Sequence, residues 1–141
     1  MVKLLIVDDS ALMRRVMSKI FQAEGDFEIA TARDGRDALA QIAAFKPDVV
    51  TLDVNMPLMD GLTCLNRLMV EHPCPVVMVS ALTEAGAEIT LAALRLGAVD
   101  YIAKPAGAMS LAIDSLTPRL VEKVRAASKA CLLYTSPSPR D

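Results

Sequence analysis

Residues 4–10 of the 141-residue chain read LLIVDDS, and this stretch is the strongest indication of its fold. Its first four residues are continuously apolar rather than alternating, which is typical of a parallel strand that is buried on both faces. The two aspartates and the serine that follow indicate that the strand ends there and that a helix can begin. A strand of this kind needs helices on both sides of its sheet, so we expect strands and helices to alternate along the chain.

The rest of the chain has this alternation. Four further apolar runs are predicted strands, at Phe27–Ala32, Val49–Leu52, Val76–Val79 and Val99–Ala103. Apolar residues recur at helical spacing between them, and the first helix is predicted to bury a stripe formed by Leu12, Met13, Val16, Met17, Ile20 and Phe21. Asp34, three residues before Asp37, predicts the N-cap of a second helix that ends near Phe45. Five strand–helix units predict an α/β fold, a doubly wound five-stranded parallel sheet flanked by five helices.

The composition excludes several classes of protein. Apolar residues make up 53% and charged residues 23%, which excludes a disordered chain. Fifteen basic and seventeen acidic residues give a net charge of −2, so no basic excess is available for binding nucleic acid. The apolar runs are far shorter than the roughly 20 residues that span a bilayer, so no membrane insertion is expected. The three cysteines lack a CxxC spacing, which argues against a zinc site and favours a reducing, cytoplasmic location.

Polar residues follow the predicted strands at their carboxyl ends, the edge at which ligands gather in doubly wound sheets. Asp8 and Asp9 follow the first strand, Asp53 the third, Ser80 the fourth and Lys104 the fifth. If the first and third strands are neighbours, three carboxylates converge, and two such charges about 4 Å apart repel by about 4 kcal/mol at an effective dielectric of about 20. A hard divalent cation such as Mg2+ relieves this repulsion. With the lysine and the hydroxyl, the acids form a candidate phosphoryl-binding site in which a carboxylate can be the nucleophile.

The same residues also fit other roles. A lone aspartate after a strand is usually a turn or cap residue, and Asp9 or Ser10 could simply cap the first helix. A Mg2+-dependent phosphohydrolase could use the same acids, but the aspartyl phosphatases need a second aspartate two residues on, where this chain has Asn55. A flavodoxin-like binding module is disfavoured, because an acidic strand-end site would repel a flavin phosphate.

Four motifs carry a specific resemblance. They are residues 7–10 (VDDS), residues 52–61 (LDVNMPLMDG), Ser80-Ala81 and Lys104-Pro105. In this order and spacing they resemble the receiver domain of bacterial two-component response regulators, over nearly everything up to about residue 128. The resemblance implies the flavodoxin-like arrangement of strands and a domain that spans residues 1–129. The tail at 130–141 contains SPSP and resembles translated vector sequence, with a native linker as the alternative.

The resemblance also implies a role for each site residue. Asp53 would be the phosphoacceptor, and Ser80 and Lys104 would hold the phosphoryl oxygens. Mg2+ or Mn2+ would be bound by Asp8, Asp9, Asp53 and the main-chain carbonyl of Asn55. Tyr101 would be an aromatic switch that turns inward when Ser80 moves. Two structural positions complete the set: Gly61, and Pro105 as a candidate for a cis peptide bond.

One group of receivers fits better than the others. Residues 9–14, 75–83 and 94–101 are similar to the receiver domain of chemotaxis protein-glutamate methylesterases. This likeness implies a chemotaxis-type sensor histidine kinase as phosphoryl donor, an output domain in the same parent protein, and chemoreceptors as further partners. The chain has no GxSxG motif for the esterase itself, so it would be the regulatory part alone. A DNA-binding output domain is the alternative, and Asn55 and Tyr101 depart from the residues that the family often has there.

Overall fold

The structure, a computed structural model, describes residues 1–54, 61–80, 84–103 and 117–129. Its strands are β1 (Val2–Val7), β2 (Phe27–Ala32), β3 (Val49–Asp53), β4 (Val76–Ser80) and β5 (Asp100–Ala103). Its helices are α1 (Ala11–Glu24), α2 (Gly35–Phe45), α3 (Gly61–Glu71), α4 (Glu84–Leu96) and a helical segment over 117–129, here called α5. None of the helices in these ranges is long and apolar enough to cross a membrane.

The five strands form one parallel sheet in the order β2-β1-β3-β4-β5. β1 and β3 are therefore neighbours, and Val7 pairs with Leu52 in their register. The carboxyl ends of these two strands consequently lie side by side at one edge of the sheet. The predicted doubly wound α/β fold with five helices is confirmed.

The sheet has a separate apolar core on each face. Leu5 and Val7 of β1 belong to one core, which includes residues of α2 and α3. Leu4 and Ile6 belong to the other core, which includes residues of α1 and α5. All four side chains are at most 2% exposed, which confirms that this strand is buried on both faces.

The helix ends follow the local sequence. The Ser10 hydroxyl caps α1 by accepting a hydrogen bond from the Met13 main-chain N–H at 3.2 Å. The Asp34 carboxylate caps α2 in the same way, through the N–H of Asp37 at 2.9 Å, as predicted. The prediction that Leu12 is buried was wrong, because its side chain is 57% exposed. The buried stripe of α1 begins at Met13. Consecutive residues of an α-helix are about 100° apart around its axis, so Leu12 lies to one side of Met13 and faces solvent.

Candidate functional site

Three acidic side chains meet at the carboxyl ends of β1 and β3. Asp53 is the last residue of β3 and Asp8 is the first residue after β1. Asp8 and Asp53 are only 1% and 2% exposed, whereas Asp9 faces solvent. One carboxylate oxygen from each of the three lies within 4.8 Å of the others. The structure therefore brings together the three aspartates that the sequence predicted as one cluster.

The loop between β1 and α1 orients Asp8. The main-chain N–H of Ser10 donates to Oδ1 of Asp8 at 2.9 Å. The guanidinium Nη1 of Arg14, on the first turns of α1, donates to the main-chain oxygen of Asp8 at 2.7 Å. The main-chain N–H of Asp8 donates to the oxygen of Ala32 at 3.1 Å, so the residue is also held from the β2 side. The buried carboxylate thus has a fixed direction, next to the positive end of the α1 dipole.

The first residue of α3 lies against the backbone that carries Asp53. The Gly61 N–H donates to the main-chain oxygen of Val54 at 3.0 Å. A Cβ atom at Gly61 would lie 2.6 Å from the main-chain oxygen of Asp53 and 2.9 Å from that of Val54. Only glycine fits this contact, because both obstacles are backbone atoms that cannot swing away. The predicted structural role of Gly61 has this packing as its physical basis.

The acidic cluster has the chemistry of a site for a small divalent cation. All three candidate ligands are carboxylate oxygens, the donor type that Mg2+ and Mn2+ take in proteins. Two of the carboxylates are buried, and a bound cation would offset their mutual repulsion. The third, Asp9, is exposed to solvent. The residues therefore fit a magnesium-type ion.

Several predicted site residues lie wholly or partly outside the described residues. Asn55, Lys104 and Pro105 lie entirely outside the described residues. The backbone of Ser80 is described, and it pairs with Ala103 where β4 and β5 end, but its side chain is not described. Ser80 and Ala103 are therefore at the same edge of the sheet as Asp53, and Lys104 is the next residue in the chain after Ala103.

Tyr101, the predicted switch residue, lies on β5 with its side chain 45% exposed. Lys123 of α5 contacts it twice, through a 2.7 Å hydrogen bond to its main-chain oxygen and through an ammonium group 4.9 Å from its ring centroid.

Sequence reasoning missed both this lysine and Arg14. Arg14 could have been predicted, because it is a basic residue on the helix that directly follows the acidic loop. Lys123 has no such signal, because it is 22 residues from its partner.

Comparisons with known proteins agree with this geometry. The family model described as "Response regulator receiver domain" matches residues 4–113. A protein-glutamate methylesterase/protein-glutamine glutaminase of Rhodopseudomonas palustris is 59% identical over 130 residues, which cover 92% of this chain and 36% of the relative. A relative with the same description from Vibrio cholerae is 56% identical over 127 residues, which cover 90% and 36%. The chain thus spans about a third of the length of these curated relatives.

Solved structures show the same likeness. The response regulator domain of Thermotoga maritima CheB matches with a TM-score of 0.83 and 44% identity, over 91% of this chain and 96% of that one. The receiver domain of NtrX from Brucella abortus matches with a TM-score of 0.76 and 33% identity, over 89% and 98%. The fold that carries the acidic cluster is thus shared with known receiver structures.

Proposed function

The chain belongs to the response regulator receiver domain family, and from this premise we propose that Asp53 accepts a phosphoryl group from a phosphohistidine of a sensor kinase. The observation that carries the proposal is the convergence of Asp8, Asp9 and Asp53, with carboxylate oxygens within 4.8 Å of one another. Asp53 is the best nucleophile of the three. It ends the central strand β3, whose neighbours in the sheet are β1 and β4, so the polar residues at the ends of those two strands lie on both sides of it.

The three aspartates would hold Mg2+ or Mn2+, together with the main-chain carbonyl of Asn55. When bound, the cation neutralises charge on the phosphoryl oxygens and so lowers the barrier to their approach to a carboxylate. The β1–α1 loop supports this role, because its hydrogen bonds keep Asp8 aimed at Asp53 and Asp9 before any ligand arrives. Asp9, which is exposed, is the ligand that remains open to solvent.

The proposed step is a phosphoryl transfer between two nucleophiles. A carboxylate oxygen of Asp53 forms a bond to phosphorus while the bond from phosphorus to the histidine nitrogen breaks. The nitrogen keeps the electron pair of the broken bond while the other ring nitrogen of the phosphohistidine carries a proton, so the products are neutral histidine and an aspartyl phosphate. Ser80 and Lys104 would bind the phosphoryl oxygens, as the hydroxyl and ammonium groups nearest in sequence to the ends of β4 and β5.

The new phosphoryl group would act on the rest of the domain through Ser80 and Tyr101. It adds about −1.5 to −2 charge and three acceptor oxygens, which attract the Ser80 hydroxyl. Tyr101, now outward on β5, would turn into the space that Ser80 leaves, and the surface formed by α4 and β5 would change. The outward and inward positions of Tyr101 are two states in equilibrium. Phosphorylation shifts their populations only as far as it stabilises the inward state more than the outward one.

The output of the switch is proposed from the relatives. They are described as protein-glutamate methylesterases and protein-glutamine glutaminases, and they are about two and a half times as long as this chain. We infer that the parent protein carries such an esterase after this domain and that a chemotaxis-type kinase phosphorylates it. The substrates of that esterase would be methylated glutamates of chemoreceptors, in a cytoplasmic setting. The receiver would release or reposition the esterase upon phosphorylation.

Incubation with acetyl phosphate and Mg2+, followed by intact-mass measurement, tests the proposal. The chain should gain the mass of one phosphoryl group, and Asp53→Asn should gain none. Asp48→Asn is the matched control, because Asp48 lies at the opposite end of β3. Label found on a serine or cysteine would overturn the proposal. Continuous hydrolysis of a general phosphate ester would instead favour a phosphohydrolase.

A further inference from the structure

Lys123 joins α5 to the edge strand β5 through three contacts. Its Nζ lies 3.2 Å from Oδ1 of Asp100 and donates to the main-chain oxygen of Tyr101 at 2.7 Å. It also lies 4.9 Å from the centroid of the Tyr101 ring. Oδ1 of Asp100 additionally accepts the main-chain N–H of Tyr101 at 2.8 Å. One ammonium group is thus held by a carboxylate, a carbonyl and an aromatic face.

These contacts differ in how they respond to rotation of the tyrosine. The bonds to Asp100 and to the main-chain oxygen of Tyr101 do not involve the ring, so they persist whichever way the ring points. The ring contact exists only while the side chain of Tyr101 points outward, as it does here with 45% of its surface exposed. Only a contact that differs between two states can shift their populations. The two fixed bonds therefore place the cation, and the ring contact is the part that favours one rotamer.

We propose that Lys123 is a positioning residue that holds Tyr101 in its outward rotamer and so opposes the switch until Asp53 is phosphorylated. This inference rests on the proposed function of Tyr101 as the switch, and it adds the group that sets the resting population. The lysine side chain is 24% exposed, so its charge is partly shielded from water. A cation–π contact in such a setting changes an equilibrium by about two- to fivefold.

The rotamer populations of Tyr101 measure this effect directly, without any phosphodonor. Three-bond couplings in tyrosine-labelled protein report χ1, and Tyr101→Phe separates its signal from that of Tyr134, the other tyrosine. Lys123→Met removes the charge while keeping most of the side-chain length. We expect it to raise the ratio of inward to outward rotamers about two- to fivefold. Lys129→Met, an exposed lysine on the same helix, should leave the ratio unchanged.

Further variants separate positioning from a merely structural role. Lys123→Arg keeps a cation over the ring and should keep the outward rotamer, whereas Lys123→Gln should behave like Lys123→Met. Asp100→Asn weakens the anchor of the ammonium and should give an intermediate ratio. A ratio in Lys123→Met and Lys123→Gln that matches the unsubstituted chain overturns the inference, even if both variants unfold at lower urea concentration.

The failure of this inference is distinguishable from failure of the proposed function. After saturation with acetyl phosphate and Mg2+, the unsubstituted chain should shift toward the inward rotamer, and Lys123→Met should shift further. If the unsubstituted chain shows no shift, the switch proposed for Tyr101 is wrong. The couplings measured without phosphodonor still decide, in that case, whether Lys123 holds the ring.

Discussion

The α-carbon of Gly61 is packed so closely against Asp53 that a Cβ atom there would lie 2.6 Å from the main-chain oxygen of the aspartate. The contact connects the start of α3 to the residue that we propose is phosphorylated. Because the obstacle is backbone, any side chain at position 61 must push α3 away from the end of β3 or displace Asp53 itself. The geometry of the acidic cluster thus depends on a residue that takes no part in its chemistry.

Gly61→Ala should therefore weaken both the fold and the site. We expect a loss of about 1–3 kcal/mol in the free energy of unfolding, as for other overpacked positions, and a slower gain of phosphoryl mass with acetyl phosphate. Gly25→Ala is the matched control. It places a side chain at φ +83° at the end of α1, with no heavy atom within 4 Å of the new Cβ. That variant should lose stability through backbone strain alone and keep the phosphorylation rate, and an unchanged rate in Gly61→Ala would contradict the packing argument.

Magnesium should stabilise the folded chain through the three aspartates. An ion that binds only the folded state adds about 2.7 kcal/mol at a hundredfold excess over its Kd, so Tm should rise with Mg2+ concentration. Asp9→Asn removes one charged ligand and should shift the onset of this rise, which lies near the Kd, to about tenfold higher Mg2+ or more. Asp48→Asn, remote from the cluster, should keep the onset of the unsubstituted chain. Equal onsets for Asp9→Asn and Asp48→Asn would place the ion elsewhere.

Arg14 should support the metal site from outside it. Its guanidinium donates to the main-chain oxygen of Asp8 at 2.7 Å and so fixes the loop that carries two of the candidate ligands. Arg14→Met should lower the free energy of unfolding by about 1 kcal/mol in urea and raise the Kd for Mg2+ several-fold, because the loop is then less well ordered. Arg15→Met is the comparison, since Arg15 is exposed on the next position of the same helix. The role of Arg14 fails if the two variants bind Mg2+ equally well.

Most of the sheet could be predicted because its signals are local. The continuous apolar run at 4–7 is buried on both faces, and β2 has the predicted bounds, Phe27–Ala32. β3 and β4 each extend one residue beyond the predicted end, to Asp53 and Ser80. The prediction stopped at the last apolar residue, but strand pairing is made by the backbone and so continues through a polar residue. The convergence of the acids required only the assumption that β1 and β3 are neighbours, and the observed strand order confirms it.

The contacts that the sequence did not predict join residues far apart in the chain. Lys123 and Tyr101 are 22 residues apart, and nothing in the apolar periodicity of α5 marks this lysine. Leu12 shows the opposite error, because helical spacing alone extended the buried stripe one residue too far toward the site. Periodicity identifies the face of a helix that packs on the sheet, but it does not identify which polar side chain reaches a neighbouring element.

The ion pair between Arg125 and Asp26 predicts how stability depends on pH. Arg125 on α5 binds both carboxylate oxygens of Asp26, which lies in the turn before β2, and also lies 2.8 Å from Glu24. Hydrogen bonding to Arg125, opposed in part by desolvation, lowers the pKa of Asp26 below its ordinary 3.8. A carboxyl group whose pKa is lower in the folded state stabilises the fold above its unfolded pKa, and this contribution disappears as pH falls through the folded value.

Asp26→Asn should accordingly destabilise the chain at pH 6, and this effect should disappear as pH falls below 3.8 and through the lowered pKa of Asp26 in the folded state. Urea unfolding at several pH values measures the difference between the two proteins, which should shrink steadily below pH 3.8. Since the Asp26 side chain is 48% exposed, about 1 M salt should also reduce the difference at pH 6. Glu28→Gln, which removes one carboxylate at an exposed position on β2, is the comparison variant for the same measurements. A difference for Asp26→Asn that stays constant from pH 6 to pH 2 would mean that the charge of Asp26 does not stabilise the fold, which would leave the contact of Arg125 with the Phe27 ring, 5.1 Å away, as the way in which this arginine holds α5.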